Sequence, residues 1–163
     1  IKEFDRIHYG LDWGYALDPL HWVKLHYDAR KEIIYVFDEF RAHKMKNKPL
    51  YDNLVKKGMT PKDLLIADSA EPKSIADLRE YGLNVIGTEK GPESVRYGMR
   101  WLENRAKIIV DNQRCPFLAE EMLNYEFEQT KDGQYISEYP DKNNHGIDAL
   151  RYSLNAVWRQ RGK

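Results

Sequence analysis

Residues 7–14 read IHYGLDWG, and this stretch sets the fold. Apolar residues alternate in it with small or polar ones. The apolar positions are Ile7, Tyr9, Leu11 and Trp13. Alternation with a period of two predicts a β-strand that has one face in a core. Residues 20–27 and 33–40 predict two further strands, so the first part of the chain is expected to form an antiparallel meander.

The rest of the chain alternates between helical periodicity and short apolar runs. Helices are predicted at 49–57, 72–81, 94–105, 117–127 and 147–158. Strands are predicted at 64–67, 83–87 and 107–110, and Asp132–Gly133 predicts the tip of a hairpin between 127–130 and 135–137. This order predicts a single α/β domain over residues 1–163, with three layers: a mixed central sheet and helices on its faces.

Composition excludes several classes of protein. Charged residues make up 32% of the chain and its mean hydropathy is −0.75, values that exclude a membrane protein. The 26 basic and 26 acidic residues balance, so a polyanionic partner must be held by a local patch or by metal ions. Cys115 is the only cysteine, which excludes intramolecular disulfides and cysteine-rich zinc sites.

The chain begins at Ile1 and shows no signal peptide, so we expect a domain of a larger cytoplasmic protein. It has no phosphate-binding loop of the nucleotide-hydrolysing type, so this piece is not expected to be a motor by itself.

Asp12 is an unusual residue for the middle of a predicted strand, because aspartate is depleted in strands and a buried carboxylate needs a partner. Its neighbours on the same face are Gly10 and Gly14, which carry no side chains. We expect these glycines to leave the sheet open beside the carboxylate, where a metal ion and a substrate backbone fit. The ordinary alternative is an aspartate that ends the strand and caps a turn.

Two further acids complete a candidate site. Asp68 follows the run 64–67, at the carboxyl end of a strand, where α/β sheets bind ligands. Asp148 lies in the first turns of the last helix, three residues after His145. Taken singly, Asp68 is explained as a helix cap and Asp148 as a complement to the helix dipole. Together with the strand aspartate they predict one site for hard divalent cations, which prefer carboxylate oxygens.

Three segments carry a resemblance to a known family: GLDWG at 10–14, IADSAEP at 66–72 and NHGIDALRY at 144–152. They resemble the C-terminal nuclease domain of phage terminase large subunits, which has an RNase H-like fold. The resemblance implies that Asp12, Asp68 and Asp148 ligate two Mg²⁺ or Mn²⁺ ions and that His145 is a catalytic residue. It also implies that the tip of the predicted hairpin lies near the active site.

The same resemblance implies a function and its setting. The expected activity is metal-dependent endonucleolytic cutting of concatemeric viral double-stranded DNA during genome packaging. The full-length protein is expected to carry an ATPase domain, to work in the host cytoplasm, and to meet the terminase small subunit and the portal. The isolated domain is expected to be a monomer.

Two other functions stay open: a catalytically idle nucleic-acid-binding or docking module with the same fold, and another RNase H-like nuclease such as a junction resolvase. Exonucleases with a glutamate two residues after the first acid fit less well, because Gly14 stands at that position. RNase H itself fits less well because the helix at 49–57 has no glutamate.

A basic stretch follows the third predicted strand. Its members are Arg41, Lys44, Lys46, Lys48, Lys56 and Lys57, and a second basic group at the end comprises Arg159, Arg161 and Lys163. Two interpretations of the first group stay open: it contacts DNA phosphates, or it is simply a solvated face.

Other polar residues are assigned no role in the predicted site. His21 and His26 fall on opposite faces of one strand, so a shared metal is not expected. Asp18 is expected to be a turn residue, and Glu71 and Asp141 are expected to be solvent-exposed acids. Two alternatives stay open: a contact of Glu71 with metal-bound water, and a contact of Asp141 with a metal ion as an outer ligand.

Overall fold

The computed structural model describes residues 3–14, 16–91, 93–125, 128–129, 135–137, 139 and 142–161. The strands are β1 (Ile7–Asp12), β2 (Leu20–Asp28), β3 (Ile33–Ala42), β4 (Leu64–Ala67), β5 (Asn84–Gly87), β6 (Lys107–Val110), β7 (Glu128–Gln129) and β8 (Tyr135–Ser137). The helices are α1 (Asn47–Lys56), α2 (Pro72–Tyr81), α3 (Ser94–Glu103), α4 (Pro116–Asn124), α5 (His145–Ser153) and α6 (Asn155–Arg161).

Six strands form one mixed sheet in the order β5-β4-β1-β2-β3-β6. The predicted meander is confirmed, because β2 pairs antiparallel with both β1 and β3. All the other pairings are parallel, so β2 is the one strand of this sheet that runs against the rest. The carboxyl ends of β1, β4 and β5 therefore meet at one edge, where Leu11 lies beside Ala67 and Ala67 beside Gly87.

Successive residues of the strands point alternately into two separate cores, one on each face of the sheet. On one face, Leu11 and Trp22 are fully buried with Leu50 of α1 and Leu78 of α2. On the other face, β2 and β3 pack against α3, α4 and α5, and the buried residues there include Val23, Leu25, Met99, Leu118 and Leu150. Helices cover both faces of the sheet, so the predicted three-layer α/β architecture is confirmed.

The predicted final helix at 147–158 is two helices. α5 ends at Ser153, whose hydroxyl donates a hydrogen bond to the Leu150 carbonyl at 2.6 Å. Leu154 leaves the helical conformation with φ −106° and ψ 11°, and α6 starts at the next residue. The Trp158 indole N–H donates to the Arg151 carbonyl at 3.0 Å and so satisfies an oxygen near the break.

The predicted hairpin is confirmed as an antiparallel pair of β7 and β8. Its tip, with Asp132 and Gly133, lies outside the described residues. No helix in the described ranges is long and apolar enough to cross a membrane.

Gly10 has a different role from the one predicted. The expected open space beside Asp12 is filled by α5, which crosses β1 at this point. An alanine methyl group at Gly10 would lie 2.0 Å from the Ala149 carbonyl oxygen. Gly14 has φ +70° and turns the chain out of the strand, so β1 ends at Asp12. The expected open space is therefore absent at Gly10, whereas Gly14 lines an open cleft together with Asp12.

Replacing Gly10 with alanine tests this close contact. The added methyl group would also lie 2.8 Å from Ser153 Cβ, so α5 would have to move away from the sheet. We expect Gly10→Ala to lower the free energy of unfolding by about 3 kcal/mol in urea denaturation. Gly91→Ala is the control, since its methyl group would meet only the Arg159 guanidinium at 3.8 Å. Equal stability of the two variants would contradict a close α5–β1 contact.

Candidate active site

The carboxyl edge of the sheet holds two of the three predicted acids. Asp12 is the last residue of β1, and Asp68 follows β4 directly. Two hydrogen bonds join these strand ends: the Asp68 N–H donates to the Leu11 carbonyl at 3.1 Å, and the Trp13 indole N–H donates to the Asp68 carbonyl at 2.8 Å. The spacing of the two carboxylates is thus fixed by the backbone of neighbouring parallel strands.

Helix α5 supplies the third acid and the histidine. The helix starts at His145, so His145 and Asp148 lie about one turn apart at its N-terminal end. The His145 ring approaches Asp12, with 3.4 Å between Nδ1 and Oδ2. The same ring approaches Asp18 on its other side, with 3.6 Å between Nε2 and Oδ1.

All four predicted site residues line one cleft of about 370 Å³. The side chains of Asp12, Asp68 and Asp148 are 14%, 17% and 16% exposed, so each carboxylate is accessible from the cleft but largely shielded. Further residues of the cleft wall are Asp18, Glu71, Lys142, Asn143 and Tyr152. The structure therefore brings together residues that are up to 136 positions apart in the chain (from 12 to 148).

Each of the three carboxylates lies beside a basic side chain. Lys90 Nζ lies 2.5 Å from Asp68 Oδ1, and Arg151 lies 3.3 Å from Asp148 Oδ1. The third partner is His145, whose pKa is raised by its hydrogen bond to Asp12 and by nearby carboxylates, against the opposing effect of burial. Burial also raises the pKa of the neighbouring Tyr152 hydroxyl, so that group stays neutral.

The donor atoms of the cleft suit a hard divalent cation, because three carboxylates supply oxygen ligands in one place. Across the described ranges, however, no group of three His, Cys, Asp or Glu side chains is arranged to hold a metal ion as it stands. A cation would therefore have to compete with Lys90, Arg151 and His145 for the same oxygens.

Sequence reasoning missed Lys90 and assigned no site role to Asp18 and Glu71. Asp18 is an exposed turn residue, as predicted, and it also lines the cleft beside His145. Glu71 lines the cleft as well. Lys90 had a usable signal: it follows β5, which runs parallel to β4, so its loop leaves the sheet at the same edge as Asp68. Asp141 lies outside the described residues.

The basic stretch, which begins with Arg41 near the end of β3, is only partly an unpaired cationic surface. The Arg41 guanidinium is 15% exposed and forms an ion pair with Glu121. Lys48 pairs with Asp52 at 2.8 Å, and Lys57 pairs with Asp38 at 2.9 Å. Three exposed lysines remain, namely Lys44, Lys46 and Lys56.

The structure also shows where most of the second basic group and the two histidines lie. Arg159 pairs with Glu89 at 3.0 Å, whereas the Arg161 side chain and Lys163 lie outside the described part of the chain. His21 is fully buried beside Glu39, and His26 stacks on Phe4. The odd spacing of the two histidines places them on opposite faces of β2, as predicted.

Comparisons with known proteins agree with the fold. A family model described as "Terminase RNAseH like domain" matches residues 12–156. The large terminase subunit of Bacillus phage SPP1 is 43% identical over 164 residues, which cover 99% of this chain and 39% of that protein. The PBSX phage terminase large subunit of Bacillus subtilis is 29% identical over 147 residues, covering 90% of this chain and 33% of that protein. The chain thus spans less than two fifths of these relatives.

Solved structures give the same result. The nuclease domain of the SPP1 large terminase, determined with bound Mn, matches with a TM-score of 0.88 and 40% identity, over 99% of this chain and 89% of that one. The nuclease domain of the P22 large terminase matches with a TM-score of 0.67 at 16% identity, over 97% and 87% of the two chains, and shows the shared fold. The fold is therefore RNase H-like, and the chain belongs to the terminase RNase H-like domain family.

Proposed function

We propose that this domain is a metal-dependent endodeoxyribonuclease that cuts concatemeric viral double-stranded DNA during genome packaging. The proposed reaction is phosphodiester hydrolysis with two Mg²⁺ or Mn²⁺ ions. The observation that carries it is the convergence of Asp12, Asp68 and Asp148 on one cleft in a member of the terminase family. The Mn-bound nuclease domain of the SPP1 relative supports the choice of metal.

The proposed roles follow from where each group lies. Asp12, Asp68 and Asp148 would hold the metal ions through oxygens that face the cleft. Bound Mg²⁺ or Mn²⁺ would polarise the scissile phosphate and activate a water molecule. His145 is held between Asp12 and Asp18, and its hydrogen bond to Asp12 together with the nearby carboxylates raises its pKa against the effect of burial. We assign it the positioning of the attacking water or of a phosphate oxygen, or proton transfer between them.

DNA would be held mainly outside the acidic cleft. The chain has a formal net charge of zero, so phosphate contacts must come from local cations. Lys44 and Lys46 follow β3, which runs parallel to β1 on the far side of β2, so they leave the sheet at the same edge as Asp12. Lys142, in the cleft wall, is a further candidate for a phosphate contact.

The rest of the proposed function belongs to a longer protein. The chain spans 39% of the SPP1 subunit, so we propose that other regions supply the ATPase and the contacts with the small subunit and the portal. We propose the host cytoplasm as the site of action and a monomeric state for the domain alone.

Asp12→Asn is the direct test of the nuclease assignment. It removes one charge and keeps the shape, so the free energy of unfolding should stay within about 1 kcal/mol of wild type. Nicking of a supercoiled plasmid in Mn²⁺ should fall about a thousandfold or more, since a metal ligand contributes several kcal/mol to the transition state. Asp5→Asn, at an exposed acid before β1, is the control and should cut at the wild-type rate.

The alternative functions predict other results in the same assay. Cleavage by Asp12→Asn at the wild-type rate would contradict the metal-ligand assignment. A wild-type domain that binds DNA without nicking it would indicate the idle module. Strong preference for four-way junctions over linear duplex would indicate a resolvase.

Lys90→Met tests whether a lysine competes with the metal for Asp68. The Lys90 side chain is 47% exposed, so solvent screens the pair and the effect is modest. We expect Mn²⁺ affinity to rise about two- to fivefold in isothermal titration calorimetry. Lys73→Met, at an exposed lysine on α2, is the control and should leave the affinity unchanged. A lower Mn²⁺ affinity in Lys90→Met would show that the lysine supports the metal site.

Replacing Lys44 and Lys46 with alanine tests the DNA contact. If both touch phosphates, the slope of log affinity against log salt should flatten by about 2. The measurement uses fluorescence anisotropy of a duplex, in EDTA so that no cleavage occurs. The control is the double variant Lys31→Ala and Lys62→Ala. These exposed lysines precede β3 and β4, so they lie at the opposite edge of the sheet. An unchanged slope would show that this stretch is only a solvated face.

A further inference from the structure

A chain of buried charged side chains runs beneath the start of α5. His21, Glu39 and Glu121 are 0%, 5% and 6% exposed. Arg41 joins them: its Nε donates a hydrogen bond to His21 Nδ1 at 2.8 Å, and its guanidinium pairs with Glu121. On the other side of the ring, His21 Nε2 lies 3.1 Å from Glu39 Oε2. The order of the chain is thus Glu39, His21, Arg41, Glu121.

Both ends of this chain finish at the N-terminus of a helix. Glu39 accepts hydrogen bonds from the backbone N–H groups of Phe117 and Leu118, at 2.9 and 3.4 Å, in the first turn of α4. Glu121 accepts from the N–H groups of Gly146 and Ile147, at 2.9 and 3.2 Å, in the first turn of α5. These are the amides that a helix leaves without intrahelical partners.

Glu121 takes the place of a local cap on α5. The residue before the helix, Asn144, makes no capping hydrogen bond with its side chain. Gly146 lets the first turn lie directly on the buried chain, since an added methyl group would be 3.1 Å from Leu118 Cδ1 and 3.2 Å from His21 Cε1. A carboxylate from α4 therefore determines where α5 begins relative to the sheet.

The residues on either side of Gly146 and Ile147, whose N–H groups bind Glu121, belong to the candidate site. His145 immediately precedes Gly146, and Asp148 immediately follows Ile147. Asp12 and Asp68 are fixed by the sheet, so the distance between the two pairs depends on how the first turn of α5 is held. Burying an ion pair costs free energy of desolvation, and apolar packing alone can hold a helix in place. Stability by itself therefore does not require a charged pair at this helix end.

We infer that Glu121 is a positioning residue of the active site: held by Arg41, it fixes the first turn of α5 so that His145 and Asp148 face Asp12 and Asp68. This inference rests on the proposed function, since it assumes that the cleft binds a metal ion. Residues that orient metal ligands in this way typically change affinity by tenfold or more when they are altered.

Glu39 provides a matched control for Glu121. Both are buried glutamates that accept backbone hydrogen bonds at a helix N-terminus and belong to the same charged chain. The difference is the helix they hold, because α4 contributes no residue to the cleft. Glu39→Gln and Glu121→Gln therefore make the same chemical change, and only the second acts on α5.

The experiment measures Mn²⁺ affinity by isothermal titration calorimetry at a temperature where circular dichroism shows each variant folded. We expect both variants to have a lower melting temperature, because each weakens the charge-assisted hydrogen bonds that the carboxylate accepts from a helix N-terminus. Glu121→Gln also leaves Arg41 without its charge partner. Only Glu121→Gln should weaken Mn²⁺ binding, by about tenfold. If it does not fold, Glu121→Gln combined with Arg41→Gln removes both charges, and the folded double variant should show the same weakening.

Each other outcome overturns the inference in a distinguishable way. Mn²⁺ affinity unchanged in Glu121→Gln would leave Glu121 with a structural role only. Equal weakening in Glu39→Gln would assign the effect to general loosening of the buried chain. Absence of Mn²⁺ binding by the wild-type domain would overturn the proposed metal-dependent function, and this inference with it.

Discussion

The direct contact of α5 with β1 at Gly10 is the constraint on which the rest of the site depends. The sheet alone brings Asp12 and Asp68 to one edge, because β1 and β4 are parallel neighbours. The third acid comes from a helix, and a helix approaches a sheet closely only where a side chain is missing. Gly10 provides that gap, and the Ala149 carbonyl occupies the space that a methyl group would take. A larger residue would move Asp148 away from the sheet and open the cleft.

The position of this helix along its own axis needs a second constraint, which the buried charged chain supplies. Contact with Gly10 fixes the middle of α5, and Glu121 holds its first turn through the N–H groups of Gly146 and Ile147. The carboxylate charge also complements the positive end of the helix dipole. Two anchors on a helix of nine residues leave it little freedom to slide or rotate.

The sequence predicts most of the elements, and it selects acids that the structure brings together in one cleft, because both follow from local patterns. Alternation in 7–14 gives β1, and the rule that ligands gather at the carboxyl edge of parallel strands gives Asp68. The function of Gly10 could not be predicted in this way, since a missing side chain does not reveal what fills its space. Arg41 was misplaced for a related reason: its partner Glu121 is 80 positions away, and no local pattern connects them.

The division of the final helix escaped prediction because apolar periodicity continues across the break. Ile147, Leu150, Leu154 and Trp158 keep one buried face through both α5 and α6. The interruption comes from hydrogen bonds, with Ser153 bonding back to Leu150 and the Trp158 indole reaching the Arg151 carbonyl. Such side-chain competition for backbone groups is invisible to a hydrophobic pattern.

Burial and bonding divide the acids of this domain into two kinds. Glu39 and Glu121 are almost fully buried and are bound by backbone N–H groups as well as by a cationic or histidine partner. These carboxylates cannot exchange partners without releasing a helix end. The acids of the cleft are more accessible, and a side-chain cation such as Lys90 can leave Asp68 for water at little cost because it is half exposed. The domain thus keeps its least exchangeable charges beneath the site, whereas Asp68 at the sheet edge is paired with a cation that can be replaced.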